Sequence, residues 1–456
     1  MNKSAAYMCE GPLLKKIIFY ALPVVLTGLL QLLFNAADLI IVGRFAGSLC
    51  LGAVGATGSI INLIVNLFIG LSVGAGVLVA QGVGAGSYEN VHKTVHTAIP
   101  AAIIGGAGLT VIGVGGARLF LELMGTQSDV IDMSVTYMRI YFCGMIFSMV
   151  YNFGASILRA VGDIRSPLLF LSAAGILNVL LNIVFVVGFK IDVAGVALAT
   201  IISQAVSAAL IVFALSRRDD ACRLFFKEIK ISKEHFAGMV RIGLPAGIQG
   251  SLFSISNVLI QSSINSFGSV AMSGNAAAGN IEGFVYVSMN AFQQTATNFA
   301  GQNYGAKLYK RIDRIVIICL ISVTFVGLTL GNLCVLFSRK LLGIYITDSL
   351  EAIEIGVLRM SFIAAPYFLD GIMEVMTGTL RGMGRSVMPM AVTIAGVCVF
   401  RIVWIATVFA IPEYHTLKVL FISYPISWSV TFAVELIAYI VIMRKIKKQN
   451  TAISAA

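Results

Sequence analysis

Six ionisable side chains interrupt long apolar stretches of this 456-residue chain: Asp38, Glu282, Asp370, Glu374, Arg401 and Glu435. A charge near the centre of a bilayer costs about 2.5 to 3.5 kcal/mol on insertion scales, so each is a candidate for exchanging a proton or a cation. Two amides and a hydroxyl belong with the first acid. Asn178 and Asn182 stand one helical turn apart on a shared face. At a helical rise of about 1.5 Å per residue, Asp38, Asn178, Asn182 and Thr200 can meet at one depth. A single carboxylate among amide and hydroxyl neighbours can bind a proton, because partial loss of water makes its charge costly. The plainer alternatives are an Asp that caps its helix end and amides that glue helices together in lipid. Asp370 and Arg401 match in depth closely enough for an ion pair, and Glu374, one turn from Asp370, would share its pocket. Glu282 and Glu435 read as interfacial or snorkelling groups.

The elements that position these groups follow from composition. Hydrophobic residues make up 58% of the chain and charged residues 12%, and the mean hydropathy is +0.93, whereas a soluble domain carries roughly 25% charged residues. Twelve stretches between residues 17 and 443 are long and apolar enough to cross a bilayer core of about 30 Å. In a solvent that cannot satisfy backbone groups they must be helices, so the expectation is an all-α integral membrane protein. Of the 32 Lys and Arg, only Arg44, Arg118, Lys190, Arg339, Lys340 and Lys418 fall in loops on the side opposite the termini. The excess on the other side predicts that both termini are cytoplasmic. The net charge of +11 then marks topology and contact with anionic lipid rather than nucleic acid.

The chain also repeats itself. Leu22-Pro23 returns as Leu244-Pro245, Ala80-Gln81-x-x-Gly84-Ala85 as Gly301-Gln302-x-x-Gly305-Ala306, and Leu158-Arg159-x-x-Gly162 as Leu380-Arg381-x-x-Gly384, always 221 or 222 residues on. A half-chain duplication in an apolar sequence is characteristic of two-lobed membrane carriers. Six spans per half predict two six-helix lobes related by a pseudo-two-fold axis along the membrane normal. The expected division is an N-lobe over 1–216, a cytoplasmic linker over 217–238 and a C-lobe over 239–456. Arg159 and Arg381, each followed by a glycine three residues on, read first as helix-end cations with a terminating glycine.

Other chemistries are not indicated. Lys15 and Lys16 precede an apolar run much longer than a signal-peptide core. The seven cysteines are scattered singly, without a disulfide framework or zinc spacing. His92 and His96, four apart on one helical face, lack a third ligand nearby in sequence, and an interfacial histidine pair is expected rather than a metal site. No nucleotide-binding loop, nucleophile with base or metal cluster points to an enzyme, so no catalytic residue and no cofactor is expected.

Asn35-Ala-Ala-Asp38-Leu-Ile-Ile-Val-Gly43-Arg44, the Ala80-Gln81-x-x-Gly84-Ala85 segment and the two Leu-Arg-x-x-Gly segments resemble the multidrug and toxic compound extrusion (MATE) family, over about residues 12 to 445. The loop from Gly82 to Asn90 lacks the signature of the competing twelve-span major facilitator fold. The resemblance implies a bacterial plasma-membrane antiporter that exports hydrophobic organic cations in exchange for protons or sodium. It further implies a cation site of Asp38, Asn178, Asn182 and Thr200, with Asn182 standing where some members carry a second Asp. That departure makes a proton the better expectation than sodium. Asp370, eleven residues before Arg381, matches a coupling acid of other bacterial branches, whose partner acid on span 7 is missing here. Phe34, Asn35, Tyr151, Phe284, Tyr286, Phe292 and Tyr367 could line an adaptable pocket for flat cations, or simply pack. A monomer in contact with membrane lipids is expected. The alternatives of the same superfamily are a lipid-linked saccharide flippase, which would need more basic residues than Arg401 in its cleft, or a metabolite exporter.

Overall fold

A computed structural model describes residues 7–455. Every regular element among the described residues is helical, as lipid demands of a chain that must satisfy its own backbone. Span 1 is α1 (Leu13–Ile41), prolonged by a π-helical turn over Val42–Ala46. Spans 2 and 3 are α2 (Ser48–Gly84) and α3 (Tyr88–Leu123). Span 4 is a pair bent by 48°, α4 (Ile131–Cys143) and α5 (Met145–Ala160). Span 5 is α6 (Arg165–Asn182) with a π-helical turn over Ile183–Gly188, and span 6 is α7 (Asp192–Ser216).

The second half runs through α8 (Lys233–Asn265), α9 (Ser269–Gly305), α10 (Tyr309–Leu336) and a short α11 (Ser338–Tyr345). A second bent pair follows, α12 (Leu350–Ile363) and α13 (Phe368–Gly382), at 46°. Span 11 is α14 (Val387–Thr393), a π-helical stretch (Ile394–Val399) and α15 (Phe400–Ala406), and span 12 is α16 (Leu417–Ala455). Eight of these helices are long and apolar enough to cross a membrane, and the two bent pairs make ten. The expected twelve is completed by α8 and α9, whose length suffices but whose Asn, Gln and Ser content lowers their hydropathy.

The duplication extends to the backbone. Gly47 and Gly268, 221 residues apart, both take positive φ (93° and 91°) ahead of α2 and α9. Gly162 and Gly384 do the same after α5 and α13. At each of these latter sites the glycine N–H bonds to the carbonyl of Arg159 or Arg381, and the next N–H reaches back to Leu158 or Leu380. That is the closing pattern of a helix whose last carbonyls are capped by a left-handed residue, as the spacing predicts.

The compact units do not follow the linear division. One comprises Leu26–Ser251, so it holds the first half of α8, and the other joins Met8–Val25 to the chain from Leu252 onward. The boundary between the compact units falls inside α8, after Ser251. Backbone packing explains the placement of Lys233–Ser251. A methyl group on Gly247 would lie 2.2 Å from the Leu67 carbonyl oxygen, and one on Gly74 2.3 Å from that of Met239. Only glycine lets α2 and α8 approach so closely, the means by which membrane helices gain contact without a hydrophobic drive. Within this unit the buried apolar residues form one continuous core, from Ile41 to Met239. In the other unit they fall into separate clusters, around Phe421 and Trp428, around Met376 and Leu380, and around Ala278 and Leu342. Glu374 lies between Met373 of one cluster and Met376 of another.

Overpacking at the α2–α8 contact should cost about 1 to 3 kcal/mol. Gly247→Ala should therefore lower the melting temperature of the purified protein in detergent, while Gly55→Ala on the open face of α2, with nothing within 4 Å, should not.

Candidate functional site

In the first unit the four residues paired by depth do come together. Asp38 lies one turn before the π-helical turn that ends span 1, and Asn182 immediately before the one that ends span 5. These two turns pack on each other, and π-helical turns are frequent where a helix serves a site. Asn182 Nδ2 donates to Asp38 Oδ1 at 2.5 Å and to Asn178 Oδ1 at 3.3 Å. Asn178 Nδ2 donates in turn to Thr200 Oγ1 at 3.4 Å, and Thr200 donates to the Val196 carbonyl at 3.0 Å. The result is a single hydrogen-bonded chain with the carboxylate as its terminal acceptor. Asn182 is 0% exposed, and its Oδ1 has no hydrogen-bond partner among the described residues. Asp38 is half-buried, and its partner is this amide rather than a helix-end N–H, so the capping alternative is not what the geometry shows.

The second unit holds the other acids. Asp370 and Glu374 are both buried on successive turns of α13. Gln293 of α9 donates to Glu374 Oε2. The close approach of the two helices rests on Gly378 and Gly382, where a methyl group would lie 2.4 Å and 2.3 Å from the carbonyl oxygens of Gln293 and Thr297. The anticipated Asp370–Arg401 ion pair is not formed as a direct contact. Arg401 instead lies 3.9 Å from the Tyr424 ring centroid and 5.6 Å from that of Trp428, and its Nε donates to Ser427 at 3.0 Å. The aromatic faces are near enough to satisfy the cation through their quadrupoles, which releases Asp370 from that role.

Two acids differ from expectation. Glu435 is fully buried between Thr377 and Thr393, not snorkelling. Glu282 is buried and pairs with Arg359, whose Nη2 lies 2.7 Å from Oε2 and whose Nε lies 3.1 Å from Oε1. Asn275 accepts from the same guanidinium. A cavity of about 390 Å³ adjoins this pair, lined in part by Asn257, Gln261, Asn280 and Tyr367. Snorkelling assumes a lipid-facing acid, and these carboxylates point into their own helix bundle. The signal that would have found them is the run of amides and hydroxyls on α8, α9, α13 and α14, among them Gln261, Asn275, Thr377 and Thr393.

The aromatic set is scattered. Tyr151 is buried and donates from its hydroxyl to the Pro167 carbonyl at 3.1 Å, and Phe292 is buried as well. Phe34 packs against Gly175, within 2 Å of where a methyl group would sit. Tyr367 stacks obliquely on Trp428, 5.2 Å between centroids. Asn35, Phe284 and Tyr286 are exposed.

The histidine pair does have a third group beside it, contrary to expectation. Glu228, distant in sequence, lies 3.1 Å from His92 Nε2, and the three could in principle offer ligand atoms to one ion. The rings are stacked instead, 4.0 Å apart and 27° from parallel, so their in-plane lone pairs do not converge. His96 Nδ1 is bonded to the His92 carbonyl, and its Nε2 accepts from the Phe225 N–H. The pair anchors the 217–232 segment to α3.

The MatE family model matches residues 23–184 and 245–407, one stretch in each half. The chain is 26% identical over 398 residues to the probable multidrug resistance protein YpnP of Bacillus subtilis, covering 86% of this chain and 87% of that one. It is 25% identical over 394 residues to the probable multidrug resistance protein NorM of Thermotoga maritima, covering 85% and 84%. Among solved structures, an outward-facing multidrug resistance MATE family transporter of the MOP superfamily matches with a TM-score of 0.90 at 21% identity, over 97% of this chain and 98% of that one. A MATE protein crystallised in complex with MaL6 matches with a TM-score of 0.91 at 21% identity, over 98% and 100%. At these identities the structural matches establish the fold.

Breaking the Glu282–Arg359 pair by Glu282→Gln should destabilise the protein by about 3 to 5 kcal/mol, because it strands a buried cation. The double variant Glu282→Gln/Arg359→Met should recover most of that loss. Additive effects in thermal unfolding would show that the two side chains are not coupled.

Proposed function

Because the chain belongs to the MatE family of multi-pass membrane transporters, we propose that it is a secondary antiporter that exports hydrophobic organic cations in exchange for protons by alternating access. The observation that carries this reading is the Asp38–Asn182–Asn178–Thr200 chain, a carboxylate with one amide donor in a half-buried setting. Ionisable groups held inside spans are costly and mark ion and proton pathways. With one carboxylate and not two, the cluster offers sodium less charge than it would need to replace a hydration shell, whereas a proton requires only one acceptor. Sodium is the second candidate ion, since Asn182 Oδ1, left without a hydrogen-bond partner, could serve as an oxygen ligand.

Protonation of Asp38 removes its charge and weakens the pull of the Asn182 amide on it, because a hydrogen bond to a neutral carboxyl is about half as strong as one to a carboxylate. Span 1 is then freer to repack against spans 5 and 6, which biases one conformational state over the other. A proton entering down a potential of 100 mV supplies about 2.3 kcal/mol, which offsets the equal cost of moving one cationic charge outward, so one-for-one exchange with a monovalent cation is driven by the pH difference. The relatives' names as multidrug resistance proteins support a drug-like substrate, and the excess of basic loops supports cytoplasmic termini in a bacterial plasma membrane. The flippase alternative gains little, because Arg359 is taken up by Glu282 and Arg401 by its aromatic cage, which leaves neither disposed for pyrophosphate.

The reading is tested by ethidium efflux from proteoliposomes under an imposed proton or sodium gradient. Asp38→Asn should lower proton-driven efflux at least about ten-fold, and Asn182→Leu should lower it by a smaller factor. Wild-type rates in Asp38→Asn, or no response of the native protein to a proton gradient, would sink the proposal.

A further inference from the structure

The polar face of α13 continues past Glu374 and then crosses to another helix. Asp370, Glu374, Thr377 and Arg381 follow at steps of four, three and four, so they form one line along the helix, and all four are buried. Thr377 donates from Oγ1 to Glu435 Oε1 of α16 at 2.8 Å, and Thr393 of α14 donates to the same oxygen at 3.1 Å. Glu435 is 0% exposed, yet its other oxygen, Oε2, has no hydrogen-bond partner among the described residues. The same holds for Asp370 Oδ2 at the far end of the line. Buried polar atoms are nearly always partnered, and an acid that served only to join helices would use both oxygens. Here one oxygen at each end of a buried polar line is left over.

We propose that this line is a proton relay, running from Asp370 through Glu374 and Thr377 to Glu435, with Glu435 as terminal acceptor. It rests on the proton-antiport reading above and extends it by giving the second unit a route toward the end of α13 that the loop charges assign to the cytoplasm. In the transferring step the Glu374 carboxylic acid, bonded here to Gln293 and three residues before Thr377 on the same face, turns to the Thr377 hydroxyl, which takes its proton and passes its own to the Glu435 carboxylate. One O–H bond is broken and one formed at Thr377, Glu374 is left as carboxylate and Glu435 as neutral acid. Asp370 then returns a proton to Glu374. No net charge appears along the line, which is the condition for moving a proton cheaply through a dry interior. The groups that face it are Arg381, within electrostatic range of Glu374 and Glu435, Gln293 of α9 on Glu374, Thr393 on Glu435, Tyr286 toward Glu374 and Asp370, and Tyr367 and Arg401 toward Asp370. Arg381 is within electrostatic range of both glutamates, so the charge keeps that cation while it passes between them, and Arg401 is within range of it once it rests on Asp370.

The test uses the full chain in proteoliposomes, with ethidium flux and a pH-sensitive dye read together. Two modes are compared: ethidium counterflow, which needs no net proton movement, and drug-induced proton flux. Glu435→Gln should keep counterflow within about two-fold while proton flux falls at least about ten-fold and loses its pH dependence. Glu435→Asp should restore both the flux and the pH profile. Thr377→Val, which keeps every carboxyl, should give the same split. Unchanged proton flux and pH profile in Glu435→Gln would overturn the relay, as would a parallel loss of counterflow and proton flux that Glu435→Asp does not rescue. If native protein carries ethidium without moving protons, the antiport reading falls and the relay with it, a result separable from failure of the variants alone.

Discussion

The constraint on which everything else depends is that a polar group inside lipid must find its partner within the protein. It makes every span a helix, and it makes every buried side-chain hydrogen bond a decision about which helices lie together. The first unit meets the constraint by keeping its polar groups few and local. One continuous apolar core fills it, the helices interlock through glycine, and the polar chain from Asp38 to Thr200 is confined to the ends of spans 1 and 5 and the facing part of span 6. The second unit meets it by distributing polar groups through the interior, where Asp370, Glu374, Arg381, Arg401 and Glu435 are all buried beside several apolar clusters.

Glycine makes these arrangements possible. Where α13 meets α9, the absence of two side chains brings Gln293 onto Glu374. Where α2 meets α8, the same device sets backbone against backbone, and Ser251 donates to the Leu63 carbonyl across the contact. A hydrogen bond between side chains in lipid is worth only about 0.6 to 2 kcal/mol, so close packing has to supply most of what holds the bundle together.

Much of this was legible in the sequence, for identifiable reasons. The class, the spans and the duplication rest on long-range averages that no single contact can reverse, and the helix ends at Gly162 and Gly384 follow from a local rule. The Asp38 cluster was legible because a four-residue step and a depth calculation suffice to bring Asn178, Asn182 and Thr200 together. Reasoning of that kind fails where the partner lies on a helix distant in sequence. Depth alone matched Arg401 to Asp370, but it could not see that Tyr424 and Trp428 would enclose the guanidinium first. Nor could it see which way Glu435 and Glu282 face, since burial within a bundle is decided by neighbours and not by position along the span. Glu228 was invisible to any local search around His92 for the same reason.

The divided core of the second unit has a mechanical consequence. Dispersion contacts between close-packed apolar faces can only be kept or lost, so a helix joined to its neighbour in that way moves as one body with it. A contact made through hydroxyls, amides and carboxyls can be exchanged for another of similar strength, but the Thr377–Glu435 bond between α13 and α16 is set among apolar ones, with Met373 in one cluster beside Phe421 and Trp428 and with Met376 and Leu380 in another beside Tyr439 and Met443. Sliding α13 along α16 would exchange that polar bond but break the apolar contacts on either side of it, so the two helices are held in register by methionine and leucine rather than by their acid.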